Sequence, residues 1–298
     1  MEMLLDEAID YAGQFPPARL GLSEALGNYL RFRRGSEAWL VGRFVCGADK
    51  LAALAEALPE GGAPFEVAVV SSAPPRDRAT WNEVVERDVN ALNAFLENAP
   101  EYADVASYEV RLPTDTEPTA YLRDLNGLRE IEVFVEVPGG PEMDEILAAL
   151  AETQWMHAKL RTGGLEASAY PDAWTLAGFL KGCLDLDVPG KLTAGLHHAL
   201  PTWDDTIRTT QHGFLNVFGG AAIASANELS RRELERLLLD QSPESWSFED
   251  DGIAWRGQEA SLDDIDETRA VVRAFGSCSV EEPMEELKAL GLFTPSTH

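Results

Sequence analysis

The chain has 298 residues, about twice a common domain length and also the ordinary length of one α/β barrel. Its 45% hydrophobic and 25% charged residues are those of a folded globular protein, which excludes disorder. A net charge of −27 repels phosphate backbones and anionic lipid, so nucleic acid and membrane surfaces are excluded as partners.

Residues 4–15 and 22–33 have helical spacing on either side of Pro16 and Pro17. Alternation then begins, with a strand over 39–46, a helix over 49–58, a strand over 65–71 and a long helix over 80–98. Strands follow over 105–112 and 131–137, the second ended by Pro138, Gly139 and Gly140. A helix over 143–152 leads into a strand over 155–161 closed by Gly163 and Gly164, and a helix over 171–184 into a strand over 191–197. Residues 212–226 read as a helix by length and alanine content, with a strand and a Gly219-Gly220 turn as the alternative. Asp251-Gly252 marks a hairpin between 246–249 and 253–256. A helix over 262–275, a short strand over 276–279 and a last helix with a capping box from Ser279 to Glu282 complete the chain.

Strands alternating with helices of this length are the pattern of right-handed βαβ units and a parallel sheet. At least four crossovers without a Gly-rich dinucleotide turn predict a (β/α)8-type, TIM-like α/β barrel, irregular or incomplete in places. It is expected as one domain over 1–298, with a helical addition at 1–35, regular βα repeats at 36–200 and an irregular closing part with a hairpin insertion at 201–298. Three dispersed cysteines point to a reducing compartment. With no basic-then-apolar leader and no run of 18 apolar residues, a cytoplasmic protein is expected.

Charge is uneven along the chain. Residues 153–222 hold six acids against five bases, three of the five lysines and four of the five histidines, so this acid-poor stretch is a candidate anion site. A buried segment explains its few acids but not its gathered bases. Side chains on a strand alternate faces, and each central strand has one apolar and one polar parity. In a barrel the polar parity faces the lumen, where charge must serve pairing or a site. Inward positions are then Glu109 and Arg111; Glu132 and Glu136; His157, Lys159 and Arg161; Lys191 and His197; and Arg43 on the first of these strands. Active sites of barrels lie at the C-terminal strand ends.

If the two strands are neighbours, Lys159, Arg161 and Lys191 converge on one pocket, where clustered cations lower a lysine pKa. A neutral amine attacks carbonyl carbon to give a Schiff base, with Glu136 shuttling protons. Arg161, His197 and Glu109 are candidate substrate contacts, as are His212 and Asn216 near a helix start, where anions bind. The plainer readings are ion pairs of Lys159 with Glu109 or Glu136, and a cap plus a buried amide for His212 and Asn216. A metal held by Glu136 or His157 with His197 and His212 matches no ligand spacing, and no metal or other cofactor is expected. Cys278, before the last helix, reads as a buried thiol rather than a nucleophile.

Residues 158–164 (AKLRTGG), 191–198 (KLTAGLHH) and 212–218 (HGFLNVF) resemble segments of a group of uncharacterised bacterial proteins, over about a quarter of the chain. Lysines on consecutive strands with Thr-Gly or Ala-Gly downstream are similar to deoxyribose-phosphate-type class I aldolases. That resemblance implies a barrel with Lys159 as the Schiff-base lysine and Lys191 as its neighbour. The sequence departs from the family in placing Lys191 at the start of its strand, and only Glu136 stands for the family's acidic partner. The expected function is a lyase of aldolase type acting on a small anionic carbonyl metabolite, a keto acid or sugar phosphate. The alternatives are isomerase-type proton abstraction, with or without a metal, and a non-catalytic ligand-binding or scaffold barrel. A homo-oligomer is compatible with each.

Overall fold

The computed structural model describes residues 1–36, 38–59, 61–113 and 118–292. Eight parallel strands close into a barrel: β1 (Ile9–Tyr11), β2 (Val41–Gly47), β3 (Phe65–Val70), β4 (Ala103–Arg111), β5 (Glu132–Glu136), β6 (Met156–Arg161), β7 (Gly190–Thr193) and β8 (Val272–Ser277). Each strand pairs with its sequence neighbours, and β8 closes the ring on β1 with Phe275 opposite Ile9. The outer parity of the strands is apolar, so helices pack around the ring and bury it. This is the TIM-like (β/α)8 architecture expected from the alternation.

The helices start where the sequence supplies caps. Asp77 accepts from the Thr80 amide at 2.8 Å and so begins helix Arg78–Asn98, and Ser230 with Glu233 and Ser261 with Asp264 form capping boxes for two later helices. None of the helices among the described residues is long and apolar enough to cross a membrane.

Three expectations change at the ends of the chain. Residues 4–15 do not form a helix: helix Glu2–Leu5 is followed at once by β1, so the amino-terminal stretch supplies a wall of the barrel. Helix Leu22–Phe32 is present as read. The segment 262–275 divides into helix Leu262–Val271 and β8; with no Gly or Pro at the junction, the sequence carries no local signal of the change. The final helix Glu281–Ala289 keeps half of its capping box: the Ser279 hydroxyl accepts from the Glu282 amide at 3.1 Å, while the Glu282 carboxylate turns to His197.

Between β7 and β8 lies the long insertion. It carries a hairpin (Thr202–Asp204 and Thr209–Gln211), helices Phe214–Ala226 and Arg231–Leu238, and a three-stranded meander over Trp246–Glu249, Gly252–Trp255 and Gln258–Ser261. The expected two-stranded hairpin thus has a third strand. The loops after β6 and β7 touch through glycine. Gly195 has φ +75°, and a β-carbon there would lie 2.6 Å from the Thr162 carbonyl oxygen and 2.8 Å from the Gly163 α-carbon. Only glycine meets both demands, and this close approach shapes one wall above the barrel.

Candidate functional site

The lumen holds a chain of alternating charges. Lys191, on β7, is buried and extends its ammonium between Asp10 of β1, with which it forms an ion pair, and Glu109 Oε1 of β4 at 2.6 Å. Glu109 Oε2 accepts from Lys159 Nζ of β6 at 3.1 Å, and Lys159 Nζ lies 3.3 Å from Glu136 Oε2 of β5. The registers explain this convergence: Lys159 is opposite Lys191 across β6 and β7, and opposite Glu136 across β5 and β6. The five groups alternate in sign, so each buried charge has an opposite neighbour.

This pairing corrects one electrostatic expectation. Lys191 has its proton affinity raised, because the effect of burial, which alone would lower it, is outweighed by Asp10 and Glu109. Glu109 is shifted the other way: burial would raise it, but Lys191 and Lys159 hold it well below the usual carboxylate range. Lys191 is therefore a charged strut under the site rather than a neutral nucleophile.

Nearer the N-terminal end of the strands is a second polar group. Arg43 Nη1 of β2 lies 2.6 Å from Glu132 Oε2, and His157 Nε2 and the Arg273 guanidinium approach the other oxygen at 3.5 and 3.7 Å. Burial would raise the Glu132 pKa, but the hydrogen bond from His157 and the charge of Arg43 bring it down to about 2. A depressed carboxylate contributes stability that is complete above its unfolded value and is lost as pH falls through its folded one. The stability advantage of the wild type over Glu132→Gln should therefore be full at pH 7 and should fade between pH 4.5 and about pH 2. Urea denaturation of both proteins across that window checks this; a pH-independent difference would contradict it.

Above the charge chain, at the C-terminal ends of the strands, opens a cavity of about 1010 Å³. Lys159, Glu136, Glu109, Lys191, Arg161 and His197 all line it, so the structure brings six of the eight sequence-predicted residues together. Arg161 Nε donates to the Gly163 carbonyl at 2.8 Å, and Arg161 has no carboxylate within 4.0 Å among the described residues. His197 stands in the loop after β7 rather than on it, with Nδ1 2.9 Å from Glu282, and His198 Nδ1 lies 2.5 Å from Glu286. Arg111 is largely exposed on the rim, 3.8 Å from Glu136. Cys278 also lines the cavity, and burial pushes its thiol up, which keeps it protonated.

His212 and Asn216 are not brought to this cavity. His212 Nε2 donates to the Pro171 carbonyl at 2.8 Å, and burial lowers its pKa, so it is a neutral tie to the loop before helix Ala173–Leu186. Asn216 donates to the carbonyls of Leu237 and Asp240, both at 2.8 Å, and so caps the end of helix Arg231–Leu238. Asp10 is the lumen residue that the sequence reading missed; the polar residue of Ile9-Asp10-Tyr11 was its only signal. Among the described residues, no group of three or more His, Cys, Asp or Glu side chains could hold a metal ion.

Fold and cavity together define the class: a (β/α)8 barrel with an ionic lumen, opening at the face where barrel enzymes keep their catalytic groups. Comparison with family models, curated proteins and solved structures yields no match.

Proposed function

We propose that the chain is a barrel enzyme of lyase type, which forms a Schiff base between Lys159 and a small anionic carbonyl compound. The observation that carries this reading is the Lys159 amine on the wall of the cavity between two carboxylates, Glu109 at 3.1 Å and Glu136 at 3.3 Å. Glu109 is fully committed to two lysines, whereas Glu136 is the more open acid. Glu136 takes a proton from the Lys159 ammonium, and the freed amine attacks the carbonyl carbon. The carbonyl oxygen leaves as water, with Glu136 returning the proton. The resulting iminium draws in the electrons of the bond between the α- and β-carbons, the β-hydroxyl proton passes to Glu136 and an aldehyde departs; Glu136 then protonates the enamine carbon, and water hydrolyses the iminium to free the second product and Lys159. Arg161, whose guanidinium has no acid of its own among the described residues, holds the substrate carboxylate or phosphate. Lys191 fixes Glu109 from below and keeps its charge.

A barrel that binds ligand without catalysis would draw on the same pairing, since both lysines have carboxylate partners. Trapping separates the two readings. Borohydride added with a panel of 2-keto acids and sugar phosphates should leave a reduced adduct on the peptide containing Lys159, and none in Lys159→Ala. The absence of any adduct across the panel would sink the Schiff-base reading.

A further inference from the structure

We propose that the side of the cavity across the barrel from Lys159 takes an apolar chain or ring, carried by the part of the substrate that departs as the aldehyde. This rests on the Schiff-base reading for the orientation of the substrate, though the apolar wall can be probed without it.

The lining of the cavity divides by strand. On one side, β4 to β7 contribute Glu109, Glu136, Lys159 with Arg161, and Lys191 with Thr193, all charged or polar. On the other, β2 and β3 contribute Val45 and Val70, and Ala12 directly follows β1. Strand parity accounts for the two valines: Phe44, Cys46, Val67 and Val69 pack in the core under the helices, whereas Val45 and Val70 stand outside that core and line the cavity. Phe15, Pro16 and Pro17 continue the apolar lining in the loop after β1. Among the described residues, β1 to β3 and that loop bring no charged or polar side chain to the cavity.

In a closed ring of eight, β2 lies four strands from β6 in either direction, so Val45 and Lys159 stand on opposite sides of the barrel. Arg161, two residues beyond Lys159 on β6, holds the anionic end on the charged side, and the chain beyond the carbonyl then runs towards the valines and Phe15. Phe15 and Val70 are only half-buried, and covering such apolar surface strengthens binding by about fourfold per buried methylene. A sugar phosphate, polar along its length, leaves this wall uncovered. The cavity, at about 1010 Å³, also stands at the upper end of the range of small-molecule sites, ~300–1,000 Å³, and exceeds what a three-carbon keto acid fills. The substrate class is therefore R–CH(OH)–CH2–CO–COO⁻ with R apolar. It splits into R–CHO and CH3–CO–COO⁻: the bond between CH2 and CH(OH) breaks, and the hydroxyl proton reaches the new methyl group by way of Glu136.

The test has two arms. In the first, borohydride trapping compares 2-oxoheptanoate with 2-oxopropanoate and with 5-methoxy-2-oxopentanoate, in which an ether oxygen replaces one methylene of the chain. Half-maximal labelling of Lys159 should come at a concentration at least about tenfold lower for 2-oxoheptanoate than for either, and Val70→Thr and Phe15→Ser should each shrink that gap to about threefold or less. Equal labelling by the three compounds, or a gap that both variants leave unchanged, overturns the proposal while leaving the Schiff base intact. In the second arm, calorimetry follows the straight-chain carboxylates from propanoate to octanoate, which have no carbonyl to trap, on the full chain and on both variants. Affinity that climbs at least about thirtyfold along the series, and less steeply in each variant, supports the apolar wall even if nothing is trapped at Lys159. Undetectable binding, or equal affinity along the series, overturns it.

Discussion

Lys191→Met should lower the stability of the fold by about 3–5 kcal/mol, the usual cost of leaving buried charge without its partner. The Lys191 side chain is 2% exposed, with its ammonium between Asp10 and Glu109. Methionine fills the same space but leaves two carboxylates facing each other. Glu109 would keep Lys159 at 3.1 Å, whereas among the described residues Asp10 would keep one hydrogen bond, from the Arg43 amide at 2.9 Å, and the more distant charges of Arg43 and Arg269. Because the folded-state proton affinity of Lys191 is raised, its contribution is complete below the ordinary lysine value of 10.5 and is lost only as pH climbs through the higher folded value. The full penalty therefore applies at neutral pH. Adding Asp10→Asn to Lys191→Met should recover part of the loss, since the stranded charge is then gone. Urea denaturation of the three proteins checks this, and a loss below about 1 kcal/mol for the single variant would mean that the lumen is wet enough to solvate these carboxylates.

The barrel was legible where strands are long enough to show their parity. From β4 to β7 the polar residues predicted to look inward include Glu109, Lys159 and Lys191, and these do meet. The sequence was opaque at β1, where three residues follow a short helix whose buried Leu4 and Leu5 continue the same apolar spacing. Missing β1 meant missing Asp10, the acid that clamps Lys191 from the closing side of the ring. The inverted expectation for Lys191 follows directly: proximity of like charges was readable from neighbouring strands, but the acid from the closing strand was not.

His212 and Asn216 show a second limit. Helix Phe214–Ala226 is buried on every side through Ala224, so it has no solvent face to tell which side meets the barrel and which meets other helices. A polar residue on such a helix must be satisfied somewhere, and for Asn216 the partners are carbonyls at the end of helix Arg231–Leu238. That partner lies 21 residues downstream and outside any local pattern.

Lys159→Met should behave in the opposite way to Lys191→Met. Glu109 retains Lys191 at 2.6 Å, and Glu136 lines the open cavity with Arg111 at 3.8 Å, so neither acid is stranded in the dry interior. The stability change should stay within about 1 kcal/mol, as is common for groups held at a site for chemistry rather than for packing. Turnover of any carbonyl compound that the wild type traps should fall by about a thousandfold or more, because no other amine reaches the carbonyl once the nucleophile is gone. Lys191 cannot substitute, being charged and clamped between Asp10 and Glu109. The two lysines sit opposite each other on adjacent strands, yet one variant should unfold easily and turn over substrate slowly if at all, while the other should fold normally and do no chemistry. Equal destabilisation by both substitutions would make Lys159 a second strut of the lumen and would remove the nucleophile from the proposed mechanism.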